Sequence, residues 1–307
     1  MIRLTILLLG LLVHVASSNG KTLNGFDLNN ALVDSDLILA GGPPKDGIPA
    51  IDNPKFTSAD KVTYLHDDDV VMGVTINGVS KAYPLRILIW HEIVNDEFQD
   101  KTVVITYCPL CGTGMVFDGE VNGTKRTFGV SGLLYQSDVL MYDRQTESLW
   151  SQLGLKSVSG KEKGARLNWL PSHQMTWKAW KENYPQSLVL SLDTGFNRNY
   201  FANAYYSYFQ SDSPMFPVPS NRNELPAKSW VLGVLIDDRA KAYQISGLDQ
   251  ALSLEDQVQG KRIKVSFDPK TRMPLVVTEN GEIVPSVMVF WFAWQAFYPS
   301  TELWQLN

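Results

Sequence analysis

Cys108 and Cys111 are the only cysteines in the chain, and both lie in one short stretch, Y-C-P-L-C-G-T-G, from Tyr107 to Gly114. Proline and glycine tighten a turn between two extended segments, so the two sulfurs converge as they do in a metal knuckle. A closed structural zinc site needs a second pair, and the chain has none. His91 is the leading further ligand. Two cysteines, one histidine and an open position make a catalytic zinc set, while thiolate with imidazole, joined by Met115 or Met141, also suits copper. Two other readings stay open. The pair can act as a thiol–disulfide oxidoreductase, with His91 supplying the charge that acidifies a thiol. It can also be a static disulfide in a non-catalytic binding module, which across so short a loop adds little chain-entropy stabilisation.

The elements that hold this turn occur twice. V-M-G-V-T-I-N-G-V-S-K-A-Y from Val71 matches V-L-G-V-L-I-D-D-R-A-K-A-Y from Val231 at an offset of 160 residues. At the same offset N-D-E-F-Q-D-K-T-V-V-I-T-Y from Asn95 lies over E-D-Q-V-Q-G-K-R-I-K-V-S-F from Glu255. A shorter spacing aligns T-W-K-A-W-K-E-N-Y-P from Thr176 with W-F-A-W-Q-A-F-Y-P from Trp291. In the first copy, apolar alternation broken at Asn77-Gly78 predicts a hairpin. Pro84 then opens L-R-I-L-I-W-H-E-I-V-N-D, whose apolar spacing predicts a helix. K-T-V-V-I-T-Y and G-M-V-F-D predict two strands with the cysteine turn at their tip. The expected fold is therefore α+β and β-rich, two homologous strand–helix–strand units in tandem, the first enlarged by an insertion. The expected boundaries are a signal peptide over 1–18, an N-terminal extension over 19–57 and a first unit over 58–195 with the insertion at 118–168. A Tyr/Pro-rich linker over 196–226 and a degenerate second unit over 227–307 complete the chain.

The duplication works as an internal control. Cys108 faces Asp268 in the second copy, Cys111 faces Thr271, His91 faces Ala251 and Glu92 faces Leu252. The frame does not need the sulfurs, so their retention in one copy points to a task. On the predicted helix His91 and Asn95 stand one turn apart and share a face, which lets Asn95 or Glu92 orient the ring or a bound water. Asn95 stands where a zinc-protease helix needs its second histidine, which excludes that motif. The insertion offers a pocket wall of Ser131, Tyr135, Ser137, Asp138, Asp143 and Trp150. Glu92, Asn95, Ser131 and Asp138 are the catalytic candidates. For each alone the competing reading is ordinary strand or loop chemistry, and His91 reads almost as well as a helix histidine with both nitrogens satisfied. His66, in an acidic turn, and His173, before an expected helix, are weaker ligands.

Other patterns are absent. Gly129-Val130-Ser131-Gly132-Leu133 misses the nucleophile elbow because leucine holds the last glycine position. Phosphate loops and dinucleotide fingerprints are missing, so no nucleotide cofactor is expected. Asp67-Asp68-Asp69 reads as a solvated turn rather than a calcium site. Asn122-Gly123-Thr124 is a glycosylation acceptor only in a eukaryotic host.

The chain begins with a short positive start, an apolar run from Leu4 to Val15 and the small residues Ala16-Ser17-Ser18, the pattern of a cleaved export signal. Crossing the hydrocarbon as a helix takes about 20 apolar residues, so no stable membrane span is expected after cleavage. The mature protein is expected to be periplasmic or secreted, where disulfides persist. Losing Arg3 takes the formal charge from −5 to −6, which gives no electrostatic reason to bind nucleic acid. The partner is expected to be a small molecule, a metal ion or another exported protein.

Several motifs occur together in order: D-G-I-P-A-I-D-N-P-K-F from Asp46, K-A-Y-P-L-R-I-L-I-W-H-E-I-V-N-D from Lys81, and Y-C-P-L-C-G-T from Tyr107. F-G-V-S-G from Phe128, S-D-V-L-M-Y-D from Ser137, L-W-S-Q from Leu149, F-P-V-P from Phe216 and W-F-A-W-Q-A-F-Y-P from Trp291 follow. In these the chain resembles the bacterial family called domain of unknown function 3179 over nearly all of its expected mature length. The resemblance implies an exported bacterial protein whose hallmark residues are Cys108, Cys111, His91, Glu92 and Asn95, and it implies no particular activity.

Overall fold

The computed structural model describes residues 21–219 and 222–306, and the export signal expected over 1–18 lies outside the described residues. Asn77 and Gly78 take φ of 50° and 77° and turn the strand Val70–Ile76 back into Val79–Pro84, the two-residue hairpin that this dipeptide favours. The helix that follows, Leu85–His91, stops after seven residues. Glu92 takes φ of 58° while its N–H returns to the Leu88 carbonyl, and I-V-N-D-E-F leaves as the strand Ile93–Phe98. The predicted helix through Asp96 is thus cut short. His91 and Asn95 share no helical face.

Five larger sheets carry the chain. The first orders His173–Thr176, Val70–Ile76, Val79–Pro84, Leu188–Leu190 and Phe56–Ser58. The second orders Trp169–Leu170, Thr113–Asp118, Lys101–Cys108 and Ile93–Phe98. The third takes Lys156–Ser159, Leu149–Ser151, Asp138–Asp143 and Phe128–Tyr135 from the insertion and Ile38–Ala40 from the N-terminal extension. The fourth orders Ser286–Phe290, Trp230–Ile236, Arg239–Gln244 and Glu302–Trp304, and the fifth Ser253–Val258, Lys261–Asp268 and Met273–Thr278.

These sheets form a five-bladed β-propeller, which replaces the expected α+β pair of strand–helix–strand units in tandem. The reason lies in how the matched segments associate. The strand Val70–Ile76 has its counterpart in Trp230–Ile236, and the helix Leu85–His91 in Ile245–Ala251, but each matched half splits into two blades and crosses to the other. Thr176 N–H donates to the Thr271 carbonyl at 2.8 Å, and Phe290 N–H donates to the Cys111 carbonyl at 2.9 Å. The insertion builds the remaining blade. One apolar cluster runs from Cys108 and Phe117 through Phe128 and Trp150 to Val231 and Trp291, tying blades two, three and four into one core.

Features common to both halves define the scaffold. Lys81 Nζ lies 2.8 Å from Asp96, which Tyr83 also contacts, and Lys241 Nζ lies 2.7 Å from Asp256, which Tyr243 contacts. The Trp180 and Trp294 rings cover Gly73 and Gly233, where a Cβ would overlap them. No helix among the described residues is long and apolar enough to cross a membrane.

Candidate metal centre

The cysteine turn joins Lys101–Cys108 to Thr113–Asp118 in blade two. Gly112 completes it at φ of 70°, with room for no side chain, because a Cβ there would sit 2.3 Å from the Trp230 ring. Cys108 is 1% exposed and Cys111 is fully buried, and both are free thiols. Across from them, Gln136 and Ser137 both take left-handed φ, 55° and 65°, in the two-residue turn between Phe128–Tyr135 and Asp138–Asp143. That turn leaves the Ser137 carbonyl facing the sulfurs, with Cys111 Sγ at 3.2 Å and Cys108 Sγ at 3.9 Å.

Asp138 follows at once, fully buried. One ligand atom each from Cys108, Cys111 and Asp138 lies within 4.8 Å of the others. Asp138 Oδ2 accepts the Leu153 N–H at 2.9 Å, and the two thiols and the Val139 N–H also act on its carboxyl, each favouring the charged form. Glu92 stands near enough to feel the Asp138 charge.

Burial sets the electrostatics of the group. It pushes both thiols up, most strongly Cys111, and raises the Asp138 carboxyl to about 7. Burial, and then the Asp138 charge, push Glu92 up to about 8. Four buried acids thus act on one another's charge, and among the described residues none has an ion pair with a lysine, arginine or histidine. Such a cluster is neutral with its protons in place, or it takes up a cation.

The structure brings Cys108 and Cys111 together with Asp138, not with His91. His91 is the last residue of its helix and is fully buried. Its Nδ1 lies 2.7 Å from the Pro49 carbonyl and its Nε2 lies 2.7 Å from the Tyr200 hydroxyl. The carbonyl can only accept, so Nδ1 carries the proton and Nε2 accepts from Tyr200. Burial lowers the His91 pKa, which keeps this neutral form.

Asn95 also works elsewhere. Its Nδ2 donates to the Phe128 carbonyl at 2.8 Å and to Asp52 at 2.7 Å, and its Oδ1 accepts the Phe128 N–H at 2.8 Å. Ser131 Oγ bonds the Leu140 carbonyl and accepts the Leu133 N–H, closing the bulge in its strand. Asp143 accepts from Thr146 and from Trp150 Nε1, which staples the turn after its own strand. Tyr135 packs edge-on against Phe297, and Ser137 Oγ donates to the Phe216 carbonyl. Met115 and Met141 are buried in the same core cluster as the cysteines. His66 lies 3.8 Å from Asp69 at the surface, and His173 sits in a strand paired with Gly73.

Sequence reasoning missed the cover of the site. Tyr208, on the short helix Tyr206–Gln210, donates to the Leu110 carbonyl at 2.6 Å, and Lys228 Nζ lies 3.7 Å from its ring centre. The only signal was the density of tyrosines in a segment without a counterpart in the repeat. No curated protein and no solved structure matches the chain. The model of one family, described as a protein of unknown function (DUF3179), matches residues 45–301. The chain, with the C-P-L-C-G turn and the W-H-E-I-V-N-D segment inside that span, belongs to the DUF3179 family.

Proposed function

We propose that this is an exported protein that binds one transition-metal ion through Cys108, Cys111 and Asp138. The observation that carries this reading is the buried convergence of two thiols and a carboxyl, one ligand atom from each lying within 4.8 Å of the others. Two sulfurs with one carboxylate oxygen suit zinc, which accepts both donor types and commonly keeps a fourth position open in reactive sites. The hard oxygen makes the set a poorer match for copper(I). Glu92, whose carboxyl feels the Asp138 charge, would hold or release a proton near that fourth position. Export is supported by the N-terminal pattern of residues 1–18.

The thiol–disulfide reading fits the same groups less well. Exchange needs an accessible thiolate, and here both sulfurs are buried and burial raises their pKa values. Purification without chelator, followed by metal analysis and thiol titration, tests the reading. Stoichiometric zinc is expected in the wild type, lost in Cys108→Ser and Asp138→Asn and kept in His91→Gln. A metal-free protein, or an Asp138→Asn variant that holds zinc as tightly as the wild type, overturns it.

A further inference from the structure

A cavity of about 440 Å³ opens beside the cysteine turn, and Tyr107 lines it. Tyr107 is only 3% exposed, and its hydroxyl makes no hydrogen bond among the described residues. Arg272 lines the same cavity. It belongs to the turn that in the second half replaces C-P-L-C-G, and it takes φ of 58° where the first half has Gly112. Its guanidinium has no ion pair or hydrogen bond among the described residues. The Gln174 amide on the lining is likewise without a partner.

The remaining charges are accounted for. Arg86 is tied to Asp69 and to the Tyr64 carbonyl, so this pair is neutral. Asp68 is the lining's one acid without such a tie, and it is exposed to water. Trp230, whose ring closes over Gly112, and Phe209 supply apolar wall. The internal control extends to this cavity, because Tyr107 faces Phe267 and Arg272 faces Gly112 across the repeat. The hydroxyl and the guanidinium each occur once, and the sister half folds without them.

We infer that this cavity binds a small organic carboxylate with an apolar or aromatic body. Arg272 receives the carboxylate on its planar fork, Tyr107 donates its hydroxyl to one oxygen, and Trp230 and Phe209 take the apolar part. The second half of the chain is then part of the binding machinery as well as scaffold. The inference goes beyond the metal reading, since none of these residues is a ligand of the sulfur–carboxylate group.

Calorimetric titration of the full mature chain with phenylacetate, and with phenylacetamide as its uncharged isostere, tests it. Saturable phenylacetate binding is expected, with phenylacetamide weaker by about tenfold or more. Arg272→Gln should weaken phenylacetate by about tenfold or more, and Tyr107→Phe by about threefold or more. Tyr107→Phe installs the residue the sister half already carries, so folding is preserved, and Arg262→Gln, in the ion pair with Glu279 on blade five, should change nothing. Absence of saturable binding at millimolar phenylacetate, equal binding of the amide, or equal binding by Arg272→Gln overturns the inference. Repeating the titration on chelator-treated protein separates the two readings. Binding that survives chelation stands whatever the metal result, and zinc retained by Arg272→Gln stands whatever the titration result.

Discussion

Asn95 shows how much one side chain can hold when it imitates backbone. Its amide bonds both the N–H and the carbonyl of Phe128, so it stitches blade two to blade three without a strand pairing. In Asn95→Ala both Phe128 groups lose these partners, at a cost of roughly 1–3 kcal/mol for each group left unpaired. A lower melting temperature with unchanged zinc content is expected, and loss of zinc at full stability would give Asn95 a ligand role instead. Cys108 and Cys111 were legible in the sequence because free cysteine has few roles and the sister half lacks both. Asp138 was legible as pocket wall and as a catalytic candidate but not as a partner of the sulfurs, because its approach to them depends on a hairpin from another blade. His91 and Asn95 were misplaced because the chain turns at Glu92. Leu252 takes the same turn at φ of 60°, so the fold imposes that conformation and the side chain does not announce it.

At the level of elements, the covered glycines and the lysine–aspartate pairs make the clearest tests. A Cβ on Gly73 would lie 1.8 Å from the Trp180 ring, and one on Gly233 would lie 2.4 Å from Trp294. Gly73→Ala and Gly233→Ala should each destabilise by about 1–3 kcal/mol or more, measured by denaturant unfolding, with the greater loss at Gly73. For Asp256 burial acts to raise the pKa, but Lys241, the Gln257 N–H and Tyr243 outweigh it and hold the carboxyl below its usual value. The unfolded chain, with an ordinary aspartate near about 3.9, then takes up this proton first as pH falls. The stability that Asp256 contributes is complete above that value and is lost as pH drops through the lower folded one. In acid titrations of stability, Asp256→Asn should therefore sit below the wild type at pH 6 and converge on it in strong acid. A constant gap at all pH values would contradict this. The hairpins of both halves were readable from alternation and turn residues, since these are local signals.

For the whole molecule, closure of the propeller was not readable, because it depends on pairings between distant segments. The strand His173–Thr176 returns after the insertion to pair with Val70–Ile76, and Ile38–Ala40 joins a sheet otherwise built from the insertion. With backbone bonds and an apolar cluster crossing between the matched halves, neither half is complete alone. Residues 19–226 and 227–307 expressed separately should each lack cooperative thermal unfolding, while the intact chain shows one transition. Two independent transitions in the intact chain would refute this. The sulfurs and the carboxyl of the candidate centre come from different sheets, the former from blade two and the latter from blade three. An ion seated among them would rivet the insertion to its neighbour, so chelation should speed amide exchange over 128–143 while leaving the Ser253–Val258 edge of blade five as slow as before.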